Sequence, residues 1–244
     1  MKRSRRVLLI AGVAVAVGAA AAFWRYGRGV WYPACRSVAG KRSVDDILRI
    51  YGPAAEARLK PHFEKACVEY PPPRIALLAF KEEKRLELWA GKGRGWALIR
   101  SYPILAASGT TGPKLRRGDR QVPEGIYRIE HLNPNSSYHL SMKLDYPNAF
   151  DRARAKEDGR TDLGGDIFLH GNAVSIGCIA LGDPAIEELF VLAARVGIGR
   201  VTVISAPCDL RKPGSTVDTS ALASWVPRLH QAIARALREF PMAR

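Results

Sequence analysis

The sequence of 244 residues is poor in several residue types, and each shortage closes off a class of function. There are only four cysteines, Cys35, Cys67, Cys178 and Cys208, and none forms a Cys-x-x-Cys pair, which argues against a structural zinc site or a thioredoxin-like motif. Acidic residues are scarce: 23 Asp and Glu face 38 Lys and Arg, for a formal charge of +15. That excess favours an anionic partner, whether nucleic acid, lipid headgroups or an acidic polymer. Nucleic acid fits least well, because no Lys/Arg run is interleaved with aromatics and no single basic helix stands out. The charge is scattered along the chain, and a solvated basic surface with no specific partner accounts for it equally well. Gly91, Gly93 and Gly95 are not followed by a helix, so they do not form a dinucleotide fingerprint. No internal repeat is found. No His/Asp/Glu group accompanies His170 at ligand spacing, so neither a metal nor another cofactor is expected.

One long hydrophobic run is present. Lys2, Arg3, Arg5 and Arg6 precede an uncharged, proline-free stretch from Val7 to Trp24. As a helix those residues would span roughly 27 Å, close to the thickness of a bilayer core. The run ends in the interfacial pair Phe23 and Trp24 and then Arg25 and Arg28, which favours an uncleaved inner-membrane anchor with its N-terminus in the cytoplasm. A cleavable signal peptide is the alternative, and on either reading the remainder is exported to the periplasm. Export permits disulfides, yet a catalytic Cys178 would have to stay free. At most one bridge then remains among Cys35, Cys67 and Cys208, and its pairing is open.

Four regions follow from the patterning: residues 1–29 as basic start and anchor, 30–73 as a helical linker region, 74–210 as the catalytic domain, and 211–244 as a polar linker and last helix. Ser43 caps a helix that Gly52 and Pro53 should stop, and Ala55, Leu59, Phe63 and Ala66 mark a second amphipathic segment. The run Pro71-Pro72-Pro73 is a rigid break and the expected domain boundary. From Arg74 the texture is β. Ile75 to Phe80 and the alternating Leu86, Leu88 and Ala90 read as a hairpin, and strands follow at Trp96 to Ala107, Gly125 to Ile129, Asp166 to His170 and Arg200 to Ser205. Residues Asn133 to Ala155 read as a strand leading into an irregular cleft-shaping loop. Asp183 with Pro184 opens one inserted helix. Leu222, Trp225, Val226, Leu229, Ile233, Leu237 and Phe240 form the docking stripe of a last helix that Pro227 kinks or starts late. The expected fold is a mainly β domain with one inserted helix and helical flanks.

The most unusual segment runs from Gly164 to Gly182. A strand ends at His170, Gly171 permits a turn, and Cys178 follows immediately after Gly177. Cysteine catalysis needs a thiolate, a base or imidazolium to generate it, and backbone N–H groups around the oxyanion. His170 and Cys178 could meet within hydrogen-bond reach, although most isolated cysteines are simply small buried apolar groups.

The words His170-Gly171 and Ser175-Ile176-Gly177-Cys178 resemble the signature of the L,D-transpeptidase catalytic-domain family of bacterial peptidoglycan enzymes. Ser108-Gly109, Gly112-Pro113-Lys114, Gly118-Asp119, and Val122-Pro123-Glu124-Gly125-Ile126-Tyr127 fall in the order of that family's motifs. Tyr146-Pro147-Asn148-Ala149-Phe150-Asp151-Arg152 is similar to one branch of it. The resemblance runs from about Arg74 to Asp209. It implies an L,D-transpeptidase-like β-sandwich or barrel with Cys178 as nucleophile and His170 assisting it. It also implies a thioacyl enzyme formed at a stem-peptide amide beside meso-diaminopimelate, which an amine or water resolves. The N–H groups of Gly177 and Cys178 are the expected oxyanion donors, and Ser175 would help orient the His170 ring.

Two departures qualify the resemblance. The family usually places His directly before Gly-Cys, where this chain has Ile176, and the gap from the first His to the Cys is shorter than usual. The branch that shares both features includes an enzyme that hydrolyses the link between peptidoglycan and the outer-membrane murein lipoprotein. Three readings therefore stand: a transpeptidase, an amidase of the same domain, and a non-catalytic peptidoglycan-binding module. Tyr138 and His139 are candidate cleft residues, though a hydrogen-bonded structural role suits His139 as well. Arg152 is suited to bind stem-peptide carboxylates, with a solvated loop as the plainer role. Asp166 lies about 13 Å along a strand from His170 and is a poor orienting partner.

Overall fold

The computed structural model describes residues 13, 15–24, 27 and 40–242. Residues 13 and 15–24 are helical, but no helix among the described residues is long and apolar enough to cross a membrane. The expected anchor over 7–24 falls partly outside the described residues, which leave out 7–12 and 14, as they do Cys35.

Ser43 to Arg244 forms one compact unit. It opens with helix α1 (Val44–Lys65), capped by Ser43 in a capping box with Asp46. The helix does not stop at Gly52-Pro53; it runs through Pro53 and Pro61. An interior proline costs about 3 kcal/mol. Burying Ile47, Leu59 and Phe63 gains about 1.5–3 kcal/mol each, and packing outweighs the local preference. Ion pairs to the inserted helix, Arg58 with Glu187 and Glu188 and Arg195 with Glu56, fasten the same face. The prolines at 71–73 lead from α1 into the first strand within this unit.

The strands are β1 (Ile75–Phe80), β2 (Arg85–Lys92), β3 (Gly95–Pro103), β4 (Ala106–Ala107), β5 (Gly125–Asn133), β6 (Ser141–Leu144), β7 (Phe168–His170), β8 (Ile179–Ala180) and β9 (Val201–Ala206). They form one mixed, curled sheet of order β3-β2-β1-β9-β5-β6-β7-β8-β4. Strand β1 is apolar throughout because both its faces are covered. Ile75, Leu77 and Ala79 join the main core with α1 and the inserted helix α3 (Asp183–Val196), while Ala76, Leu78 and Phe80 meet the last helix α4 (Val226–Leu237). Pro227 lies in the first turn of α4, so that helix starts late rather than kinking, and its stripe docks onto the sheet.

Two local readings are corrected. Between β6 and β7 the chain forms a helix, α2 (Ala149–Glu157), where an irregular loop was expected. Its signal was the capping box of Asn148 and Asp151. At α3, Gly182 rather than Asp183 is the N-cap, and the Asp183 carboxylate instead accepts the Asn172 N–H at 2.8 Å.

Candidate active site

The parallel pair β7–β8 sets the site. Leu169 pairs with Ile179 and His170 with Ala180. Extending that register by one step brings Cys178 beside Phe168, on the same sheet face as His170, because side chains repeat with period two. The short segment from Gly171 to Cys178 alone connects β7 to β8. At Gly177 φ is +94°, a region costly for any residue with a Cβ.

The His170 ring is buried, and its Nδ1 lies 2.6 Å from the Gly171 carbonyl. That oxygen accepts only, so Nδ1 carries the proton and Nε2 is left as the basic atom. Burial lowers the imidazole pKa, with the Gly171 bond and Asp183 opposing, so the ring is neutral at pH 7. Tyr138 lies against it, with ring centroids 4.9 Å apart, and is itself half-exposed. The Cys178 Sγ sits 3.7 Å from the Asp166 carbonyl, and burial raises its pKa despite an opposing hydrogen bond from the Phe168 backbone. The resting pair is thus a neutral thiol and a neutral imidazole. Both are occupied by backbone groups, and they are not hydrogen-bonded to each other.

The two expected oxyanion donors are also engaged. The Gly177 N–H donates to Ser108 Oγ at 2.6 Å, and the Cys178 N–H to Ser175 Oγ at 3.1 Å. Ser175 in turn donates to the Cys178 carbonyl at 2.6 Å. Ser175 therefore grips the backbone of Cys178 instead of orienting the His170 ring. The role of Ser108 could not be read from its position, because 69 residues separate it from Gly177 and only the β4–β8 pairing joins them. Its hydroxyl also donates to the Arg120 carbonyl at 2.8 Å, which ties the 118–121 turn to the same place.

The remaining candidates divide. His139 is buried, bonded through Nε2 to Glu187 at 2.8 Å and edge-on to Tyr51. Arg152 stands on the first turn of α2, donates to the Pro147 carbonyl, and lines a cleft of about 430 Å³. That cleft reaches Gly165 and Asp166, next to the thiol. Asp166, a poor partner for His170 in the linear reading, is thus a neighbour of Cys178. Cys67, Cys178 and Cys208 are free thiols. Among the described residues no group of three or more His, Cys, Asp or Glu side chains could hold a metal ion.

Behind the site, a buried polar network holds the 108–124 segment. Glu124, fully buried, accepts from the Gly112 N–H at 2.7 Å, from Lys81 Nζ at 2.9 Å and from His230 Nε2 at 2.7 Å. Lys81 also donates to the carbonyls of Gly112 and Val122. Through His230, α4 helps hold the loop that presents Ser108 and Gln121 to Gly177.

Fold and site define a class: a mainly β domain whose curled sheet sets a thiol and an imidazole on neighbouring parallel strand ends, backed by helices. Residues 75–210, more than half of the chain, match the model of the L,D-transpeptidase catalytic domain known as YkuD, and the chain belongs to that family. It is 41% identical over 118 residues to YafK of Escherichia coli K12, provisionally named an L,D-transpeptidase; the match covers 48% of this chain and 46% of YafK. The chain therefore spans about half the length of the curated relatives it matches. Among solved structures it is similar to the helical cell shape determining protein Pgp2 of Campylobacter jejuni, at 24% identity and a TM-score of 0.46, over 55% of this chain and 48% of Pgp2. It is also similar to L,D-transpeptidase 1 of Mycobacterium tuberculosis, at 15% identity and a TM-score of 0.32, over 54% of this chain and 61% of the other.

Proposed function

We propose that this protein is a peptidoglycan acyltransferase of the L,D-transpeptidase type, acting in the cell envelope on stem-peptide amides beside diaminopimelate. The observation that carries the reading is the placement of Cys178 and His170 on one face of the β7–β8 pair, inside a domain of that family. In this reading His170 Nε2 takes the thiol proton as Sγ attacks the amide carbonyl. The oxyanion recruits the N–H groups of Gly177 and Cys178, displacing the Ser108 and Ser175 hydroxyls. The imidazolium then gives its proton to the departing amine as the C–N bond breaks, leaving a thioester on Cys178. An acceptor amine or water attacks that thioester and regenerates the thiol.

A second reading is hydrolysis of an amide that joins a lipoprotein to peptidoglycan. One feature favours it: Ile176, immediately before Gly177-Cys178, is an exposed apolar residue where the family usually carries His. The test is incubation of the full chain, and of Cys178→Ala, with diaminopimelate tetrapeptide muropeptides and with lipoprotein-linked muropeptides, products being read by mass spectrometry. Cross-links or D-amino-acid exchange lost in Cys178→Ala identify the transferase; release of lipoprotein alone identifies the amidase. If neither pool yields a Cys178-dependent product, both readings fail.

A further inference from the structure

The segment from Gly112 to Gln121 carries a buried cation that the acyl-transfer chemistry does not use. Lys114 is only 7% exposed, and its ammonium donates to Asp119 Oδ1 at 2.6 Å and to the Arg116 carbonyl at 2.9 Å. The Asp119 carboxylate also accepts the N–H groups of Leu115, Arg116 and Gln121, at 2.8, 2.9 and 3.1 Å. Those three backbone donors close the turn without help from another side chain. Burying an ion pair gains little stability, because desolvation offsets most of the attraction between the charges. The ammonium is therefore more than the turn needs.

The turn is clasped to both flanks of Cys178. On one side, the Arg120 carbonyl accepts from Ser108, whose Oγ receives the Gly177 N–H. Gln121 O lies 3.5 Å from the place that a Cβ on Gly177 would take. On the other side, the Arg117 N–H donates to the Asp162 carbonyl, and the Tyr146 hydroxyl faces the carbonyls of Lys114 and Leu163 at 3.3 and 3.2 Å. That segment leads to Asp166, whose carbonyl faces Cys178 Sγ. The influences on the thiol oppose one another. Burial pushes its pKa up and the Asp166 carboxylate adds to that, while the Phe168 backbone bond and the Lys114 ammonium bring it down. Sulfur must carry negative charge to attack, and in a buried site a fixed cation lowers the cost of that charge.

We infer that Lys114 is a positioning residue for the thiol: its ammonium, fixed by Asp119 on a turn clasped to both flanks of Cys178, stabilises the thiolate that forms as Sγ gives its proton to His170 Nε2. Lys114 acts through its charge, and no proton passes through it. The inference rests on the reading of Cys178 as the acylated thiol and adds the group that makes its anion accessible in a buried place.

The test follows alkylation of Cys178 by iodoacetamide in the full chain between about pH 7 and 10, read by peptide mass spectrometry so that the other thiols are counted apart. The thiolate is the reacting form, so the rate on the rising limb reports how readily the thiol ionises. Lys114→Met should react about threefold or more slowly at a given pH, with its limb displaced to higher pH. Lys114→Arg keeps the charge and should stay within about twofold of the wild type. Asp119→Asn removes the counter-charge while keeping an acceptor for the turn, and should react faster. A brace without electrostatic effect moves Lys114→Met and Asp119→Asn in the same direction, since either breaks the same pair. Same-direction changes, a Lys114→Met rate within about twofold of the wild type, or a Lys114→Arg rate as slow as that of Lys114→Met would each overturn the inference. Should Lys114→Met melt below the assay temperature, Lys114→Gln, which keeps a donor to Asp119 without the charge, takes its place. Alkylation needs no peptide donor, so these outcomes leave acyl transfer to the muropeptide assay. Absence of a Cys178-dependent product there removes the acyl-transfer reading while the alkylation result stands.

Discussion

Replacing Glu124 by Ala tests how the sheet and the last helix hold the surroundings of Cys178. Its carboxylate is fully buried and receives three donors within 2.9 Å: Gly112 N–H, Lys81 Nζ and His230 Nε2. Removing it strands the Lys81 ammonium, whose side chain is only 10% exposed, and leaves a buried N–H without its acceptor. Breaking one partner of a buried pair costs about 3–5 kcal/mol. For a domain of this size each kcal/mol moves Tm by roughly 2–4 °C, so Glu124→Ala should melt about 6–20 °C lower at pH 7. The double variant Lys81→Met/Glu124→Leu, which removes both charges, should recover more than half of that loss. Burial pushes the Glu124 pKa up, but His230 and Lys81 outweigh it, and the group lies below its ordinary 4.5. A depressed carboxylate stabilises the fold above its unfolded pKa, and that contribution disappears as pH falls through the folded value. The Tm gap between wild type and Glu124→Ala should therefore be full at pH 7 and shrink below about pH 4.5. Calorimetric scans across pH 3–8 measure it. A gap under 2 °C at pH 7, or one that widens in acid, would refute the account.

Further expectations follow from the site. The rate of Cys178 acylation should rise with pH through a single ionisation below 6.5, because burial depresses His170 and the neutral imidazole is the active form. Above it the rate should stay flat until the thiol ionises, beyond its ordinary value of 9.0; a rising limb centred between pH 7 and 8 in the pH–rate profile would contradict the neutral pair. Gly177→Ala should cost about 1–2 kcal/mol in urea unfolding, from backbone strain at φ of +94° and not from a clash, since the nearest atom to an added Cβ is Gln121 O at 3.5 Å. Ser175→Ala should slow acylation about tenfold or more by releasing both backbone groups of Cys178, and a change under twofold in single-turnover rate would dismiss that grip. His139→Ala should lower Tm by several degrees through loss of its bond to Glu187, with kcat/KM changed less than threefold.

The chain's reach into the fold can be judged at particular residues. Ile75 to Phe80 was legible as a strand from its short apolar run, and its hairpin with the alternating Leu86, Leu88 and Ala90 follows from the turn between them. The break at Pro53 misled, because a proline penalty of a few kcal/mol is local whereas the burial that overrides it comes from α3, more than a hundred residues away. Helix α2 was missed because its interior, Ala149 to Glu157, buries only Ala155 and so shows almost no apolar stripe. Its capping box was the one available sign.

Sequence alone determined the family and named a candidate pair, Cys178 and His170, with their separation by one turn, since Cys178, Gly177, His170 and Gly171 carry their chemistry and backbone freedom in their identities. Tertiary structure decided what surrounds that pair. Ser108 at Gly177, Asp166 at the thiol, and His230 behind Glu124 are brought together by strand register and a docked helix. Those contacts span up to 106 residues of chain and leave no periodic trace, because each is a single pairing set by where whole elements come to rest.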